Sequence, residues 1–251
     1  MQLSSTRPAT PPASVGPLVA DLRAPGLASF VDERSGLRME LHWPRPGASR
    51  WREYLDGAEA RYRRYGLDAL VTRPDLDGGG TASLVFVAVD DHDRVVGGVR
   101  CHGPLLSVAS AAALQELDGS PRLGRVHRMV AQRLAAGVVE IKGGWTTGGG
   151  AHPGLSDALA RCHVHAMNWF AVRWAMCTAS LTTATRWATS GGRPMPGLAP
   201  VPYPDNRYET VLLWWERDNV ARQATPEQWE LIVRESATLG LDAHTGAEVA
   251  S

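Results

Sequence analysis

The chain has 251 residues, of which 44% are apolar and nine are tryptophan, enough for a sizeable core in one large domain or two small ones. Its 26 basic and 26 acidic residues balance, so the composition gives no support to a nucleic-acid or anionic-membrane partner. It contains no apolar run of about 18 residues and no signal sequence, which predicts a cytoplasmic protein without a membrane span.

The first half of the chain predicts a leader followed by strands and one helix. Residues 1–25 are rich in Pro, Ser, Thr and Ala, as in a disordered leader. Apolar and polar residues alternate over 37–43, which predicts a half-buried strand, whereas residues 49–65 have the apolar spacing of a helix. The apolar runs 83–89 and 94–102, separated by a short polar turn, predict a β-hairpin with both faces covered.

The second half is organised around the stretch from Gly137 to Ser180. Residues 107–136 come first and predict two amphipathic helices, here called the helical insert. The stretch that follows predicts a strand, a glycine-rich loop, a helix and a second strand. Later segments predict a short helix at 182–189, a strand at 207–215 and a helix at 226–239. This order indicates an α/β fold with helices on both faces of a mixed sheet.

The cysteines and histidines do not predict a metal site. Cys101, Cys162 and Cys177 lie in apolar segments outside any CxxC pair, so we expect buried free thiols in a reducing compartment. His163 and His165 are two residues apart on a helix and point to nearly opposite sides, so they cannot chelate one ion.

Lysine occurs once, at Lys142, whereas the other 25 basic residues are arginine. A genome that favours arginine codons would explain the bias. A requirement for a compact ammonium at this one position would explain the exception. Both interpretations stay open at this point.

Three short motifs follow one another in the chain: AEARYRRYGL at 58–67, VVGGVR at 95–100 and VVEIKGG at 138–144. In this order they resemble the GNAT acyltransferase superfamily, and within it the branch of acyl-homoserine lactone synthases and N-acyl amino acid synthases. The resemblance covers about residues 37–216. It implies a GNAT-like fold, with a mixed, mostly antiparallel central sheet flanked by helices, a helical insert and flexible tails.

The predicted organisation has three parts. They are a disordered leader at 1–25, a GNAT-like acyltransferase domain at 26–219 with its insert at 107–136, and a C-terminal helical tail at 220–251.

The resemblance implies the transfer of an acyl group from a pantetheine thioester to the amine of a small acceptor such as an amino acid. The donor would be an acyl-CoA or an acyl carrier protein. In this fold the thioester lies between two splayed strands, and the resemblance implies Glu140 as general base and Lys142 as a ligand of the acceptor carboxylate. The residues alone also allow a buried Glu140 that pairs with Lys142 on one strand face.

The glycine-rich loop and the start of the following helix offer backbone N–H groups to the phosphates of such a donor. The predicted cofactor-binding residues are Gly148, Gly149, Gly150, Gly154, Leu155 and Ser156. An ordinary glycine-rich loop is the alternative. The predicted substrate contacts in the cleft, besides Lys142, are Trp145, Asn168 and Tyr208, with Tyr203 as a further polar group.

Two other functions compete with this prediction. One is a short-chain N-acetyltransferase that uses acetyl-CoA, and the other is a GNAT-shaped binding module without catalysis. An open channel between splayed strands favours an enzyme, whereas a cleft filled by Trp145 or Trp169 favours the module.

Overall fold

The computed structural model describes residues 28–45, 47–67, 70, 82–148 and 150–241. The predicted leader, Gly149 and the end of the predicted tail lie outside these residues. The strands are β1 (Ala28–Val31), β2 (Arg38–His42), β3 (Ala82–Val89), β4 (Val95–His102), β5 (Val138–Thr146), β6 (Trp174–Ser180), β7 (Arg193–Pro194), β8 (Val201–Pro202) and β9 (Glu209–Glu216). The helices are α1 (Ser49–Arg64), α2 (Ala113–Glu116), α3 (Leu123–Leu134), α4 (Leu155–Trp169), α5 (Leu181–Trp187), α6 (Val220–Gln223) and α7 (Pro226–Thr238).

The strands form one mixed, mostly antiparallel sheet, which confirms the predicted fold class. Their order is β1-β2-β3-β4-β5-β6-β9-β7, and β8 also pairs with β9. Among these pairs only β5 and β6 run parallel. A parallel pair needs a crossover connection, and helix α4 supplies it. No helix in the described ranges is both long and apolar enough to cross a membrane.

Helices cover both faces of the sheet. Helix α4 lies on one face, where Leu159 and Ala166 are packed with Val139 and Ile141 of β5. Because α7 covers the outer side of α4, the buried residues of α4 surround the helix and run from its first turn to Met167. On the opposite face, α1 packs over β3 and β4, whereas the insert packs over β5, β6 and β9.

The structure adds to the predicted elements and shortens one of them. The first insert helix is the single turn α2, preceded by a 3₁₀ turn at Val108–Ser110. Strand β1 was not predicted, since its four residues include Ala28 and Ser29 and give no clear alternation. It is fixed instead by its pairing with β2, as are β7 and β8 by their pairing with β9.

Glu40 on β2 makes the stability of the sheet edge depend on pH. It is 4% exposed and accepts hydrogen bonds from Arg38 Nε at 2.7 Å, Arg50 Nε at 3.0 Å and His42 Nε2 at 2.9 Å. Burial alone would raise the pKa of Glu40, but the hydrogen bonds from His42 and Arg38 and the charge of Arg50 outweigh it and lower the pKa from 4.5 to about 2.

We therefore expect the ionised Glu40 to stabilise the fold by on the order of 3 kcal/mol at pH values above 4.5. The folded pKa is below the unfolded one, so this contribution falls as the pH falls from 4.5 towards 2. Urea unfolding of wild type and Glu40→Gln across that range measures it. The difference between the two proteins should shrink as the pH falls, and a constant difference would contradict the assignment.

Candidate active site

Strands β5 and β6 separate after a short paired segment. Their parallel register covers Val138–Glu140 against Trp174–Met176 and then ends, although β5 continues to Thr146 and β6 to Ser180. The divergence opens a cavity of about 520 Å³ between the two strands. Residues from α1 on one face of the sheet and from α4 on the other line this same cavity, so it passes through the sheet.

The wall on the face of α1 and the insert is aromatic and polar. Its residues are Tyr54, Arg61, Tyr62, Tyr65, Arg100, Glu116, Lys142, Trp145, Thr178, Tyr203 and Tyr208. The wall on the face of α4 is formed by small and apolar residues, chiefly Ser156, Leu159, Ala179 and Trp187. A concave, largely apolar space with a few converging polar groups is the usual form of a small-molecule site.

A hydrogen-bonded cluster of Glu116, Lys142 and Thr178 lies on this wall. Lys142 Nζ forms an ion pair with Glu116 Oε1 and donates to Thr178 Oγ1 at 2.8 Å, while the Thr178 hydroxyl donates to Glu116 Oε2. The side chains of Lys142 and Glu116 are 11% and 13% exposed. Burial lowers the pKa of Lys142, but the charges of Glu116 and Glu140 outweigh it and raise that pKa, so the ammonium stays protonated.

Glu140 lies outside the cavity. Its side chain is fully buried, and its two carboxylate oxygens accept hydrogen bonds from the backbone N–H groups of Ala112 and Ala113, both at 2.8 Å. Burial raises the pKa of Glu140. The alternative in which a buried Glu140 pairs directly with Lys142 is not what the structure shows, because Lys142 bonds to Glu116 of the insert and Glu140 bonds to the backbone that begins α2.

A β-bulge lies at Gly143 and Gly144 of β5. Arg100 pairs with Lys142 and Gly98 with Trp145, so the two glycines together face a single residue of β4. The Tyr54 hydroxyl donates to the Gly143 carbonyl at 2.7 Å and holds the bulge in place. A bulge interrupts the hydrogen-bonded ladder, and both glycines line the cavity.

Two guanidinium groups also line the cavity. Arg100 Nε donates to His102 Nε2 at 3.1 Å, and His102 is neutral because burial lowers its pKa to about 3. Arg61 stacks over the ring of Tyr65 at 4.6 Å. Within the described part of the chain, neither arginine forms an ion pair with a carboxylate. A guanidinium that lines a cavity in this way suits an anionic ligand.

The glycine-rich loop approaches the cavity only in part. Ser156 lines the cavity, whereas Gly148, Gly150, Gly154 and Leu155 do not. Gly154 precedes α4 with φ +87°, a conformation that favours glycine. A Cβ at Gly148 would overlap the Arg61 guanidinium, so that cation lies directly against the loop. Gly149 lies outside the described residues.

The structure places most of the predicted substrate contacts in the cavity and one outside it. Trp145, Lys142, Tyr203 and Tyr208 line the cavity. Asn168 does not, because it lies near the end of α4 with its Nδ2 3.5 Å from Ser236 Oγ.

Glu116, Thr178, Arg100 and Tyr54 were not predicted from the sequence as site residues. The single lysine at 142 was the one signal that pointed to this cluster. Across the described residues, no group of three His, Cys, Asp or Glu side chains is arranged to hold a metal ion.

Comparison with known proteins gives relatives by sequence and by structure. No family model matches the chain. The uncharacterized proteins Rv1356c of Mycobacterium tuberculosis and Mb1391c of Mycobacterium bovis are each 34% identical over 203 residues, which is 80% of this chain and 77% of theirs. The solved structure of FeeM, an N-acyl amino acid synthase from uncultured soil microbes, matches with a TM-score of 0.53 at 11% identity, covering 77% of this chain and 98% of that chain. The chain therefore belongs to the family of these two mycobacterial proteins and has the GNAT-like acyltransferase fold.

Proposed function

We propose that the protein transfers an acyl group from a pantetheine thioester, carried on coenzyme A or on an acyl carrier protein, to the amine of a small acceptor. The observation that carries this proposal is the separation of β5 from β6, which opens a cavity through the sheet. A passage between two strands suits an extended pantetheine chain.

The residues of this chain supply the groups that such a reaction needs. Arg61 and the N–H groups at the start of α4 near Ser156 suit the phosphates of the donor. At the bulge, the N–H groups of Gly143 and Gly144 are candidates to stabilise the oxyanion that forms at the thioester carbonyl. These N–H donors belong to a strand whose bulge is fixed by the Tyr54 hydroxyl, so little free energy is spent on reorienting them during the reaction.

An amino acid is the acceptor that the cavity favours. Lys142, the group predicted to bind its carboxylate, is neutralised by Glu116. Arg100 is a better candidate because its guanidinium lines the cavity beside Lys142 and presents paired donors to a carboxylate. The three cysteines are free and buried, which agrees with a cytoplasmic location for the reaction.

The open cavity favours an enzyme over a non-catalytic module. Trp145 lines the cavity without filling it, because its indole is packed against α1, where a Cβ at Gly57 would overlap the ring. Trp169 lies elsewhere, 6.3 Å from Trp43 between ring centroids. Neither side chain closes the passage.

Thiol release by the purified protein tests the proposal. Acyl-CoAs of increasing chain length and acyl carrier protein thioesters are offered with and without a mixture of amino acids. We expect release that depends on the amine. A rise with chain length would indicate a long-chain synthase, and release from acetyl-CoA alone would indicate an acetyltransferase. The absence of release, together with no binding of any donor, would overturn the proposal in favour of the module.

A further inference from the structure

We propose that Glu116, a residue of the helical insert, is the general base of the reaction, and that Glu140 is a positioning residue that acts on Glu116 through helix α2. This inference rests on the proposed acyl transfer and assigns the roles of two carboxylates within it.

Glu116 is the one carboxylate among the described residues that line the cavity, and no described histidine lines it. Its carboxylate lies where β5 and β6 have separated, beside Thr178. A general base must reach the proton that it removes, directly or through one water. Glu116 meets this requirement by its position, whereas Glu140 has both oxygens bonded to backbone N–H groups and no exposed surface.

Glu140 and Glu116 are connected through one turn of helix. The carboxylate of Glu140 binds the N–H groups of Ala112 and Ala113, and α2 runs from Ala113 to Glu116. A single turn is not stable alone, because its nucleation fixes several residues for very few hydrogen bonds. The buried carboxylate satisfies two of the N–H groups that a helix start leaves unpaired. Glu140 thereby fixes the direction in which Glu116 enters the cavity.

In the proposed step, Glu116 accepts the amine proton and then returns it to the leaving group. The neutral acceptor amine attacks the thioester carbon, a C–N bond forms, and the amine proton passes to Glu116. The C–S bond then breaks, and the same proton passes from Glu116 to the departing thiolate. Lys142 stays protonated throughout and, with Thr178, fixes the orientation of the Glu116 carboxylate.

Rate measurements on Glu116→Gln, Glu140→Gln and the double variant test these roles, with Glu230→Gln as a matched control at an exposed position. We expect Glu116→Gln to lower kcat by about 10²–10⁴-fold, the usual range for a lost general base. Glu140→Gln should lower kcat by up to about 10²-fold through misplacement of Glu116. The double variant should be no slower than Glu116→Gln, because both act through one group. A further loss in the double variant, or an active Glu116→Gln, would overturn the proposal.

A second readout does not depend on activity. Since Lys142 is the only lysine, selective ¹⁵N-lysine labelling gives one Nζ signal that needs no assignment. Glu116→Gln should shift this signal by removing its ion-pair partner. Glu140→Gln should shift it by displacing α2, in addition to the effect of the lost Glu140 charge on Lys142. Glu230→Gln should leave it in place. An unchanged signal in Glu140→Gln would overturn the link between the two carboxylates. Absence of turnover in wild type with all three signals as expected would instead count against the acyl transfer alone.

Discussion

Replacement of Arg161 by methionine is expected to reduce the free energy of unfolding by about 3–5 kcal/mol, the cost of leaving buried charges without their partner. Arg161 is fully buried in α4. Its Nε donates to both carboxylate oxygens of Glu235 at 3.0 and 2.8 Å, its Nη1 donates to Gln228 at 2.7 Å, and its Nη2 binds Asp32. Methionine keeps much of the side-chain volume but removes the guanidinium charge from two buried carboxylates. Asp32 keeps its hydrogen bonds from Ser35, and Glu235 keeps its contact with His165 Nε2.

Urea unfolding measures this loss against Arg234→Met, a matched change at the surface. Arg234 forms an ion pair with Glu33 in which the side chains are 51% and 60% exposed, and such pairs contribute about 1 kcal/mol or less. We expect the Arg161 variant to be destabilised several-fold more than the Arg234 variant. Equal effects would show that the buried network does not stabilise the fold. Since domains are stable by only about 5–15 kcal/mol, the expected loss is a large fraction of the total.

The same network explains why the helix of the predicted C-terminal tail belongs to the packed structure. Glu235 and Gln228 lie on α7, and Asp32 follows β1, so Arg161 connects the two ends of the described chain to α4. Helix α4 also supplies Ser156 to the cavity. Loss of the network would therefore loosen the support of one wall of the candidate site.

Replacement of Ala179 by phenylalanine is expected to weaken donor binding and turnover by about 10²-fold or more, the effect of displacing reacting groups by roughly 1 Å. Ala179 lies on β6 beyond the last residue that pairs with β5, is 8% exposed and lines the cavity. A phenyl ring at this position would occupy the passage that we propose for pantetheine. Titration with a non-hydrolysable acyl-CoA thioether measures the loss.

A control variant separates this blockage from a general effect of a new aromatic side chain. Ala131→Phe places the same ring at an exposed position of α3 and should leave binding unchanged. Equal thermal stability of the two variants would show that both are folded. If Ala179→Phe then bound the donor as tightly as wild type, the donor would not pass between β5 and β6.

The regular elements could be predicted because their apolar spacing follows the period of a helix or a strand. Helix α4 is the clearest case, since its apolar residues recur over the whole predicted helix. The order of the motifs around β5 also predicted the GNAT-like fold correctly. Strand β1 could not be found in this way, because four residues carry too little pattern and its partner strand defines it.

The sequence could predict only those site residues that lie within a recognisable motif of one segment. Glu140 and Lys142 were expected to share a strand face, but spacing along a strand cannot say which group from elsewhere meets each side chain. The partner of Lys142 comes from Glu116, 26 residues earlier, in a segment of the insert without a motif. The third member, Thr178, is 36 residues later. Only the fold brings these three together.

A crystal structure with an acyl-CoA thioether analogue tests the central claim most directly. The account predicts that the pantetheine chain lies between β5 and β6, with its acyl carbonyl near the bulge at Gly143 and Gly144 and its phosphates near Arg61 and the start of α4. An analogue that binds outside this cavity and leaves the passage between the two strands empty would contradict it.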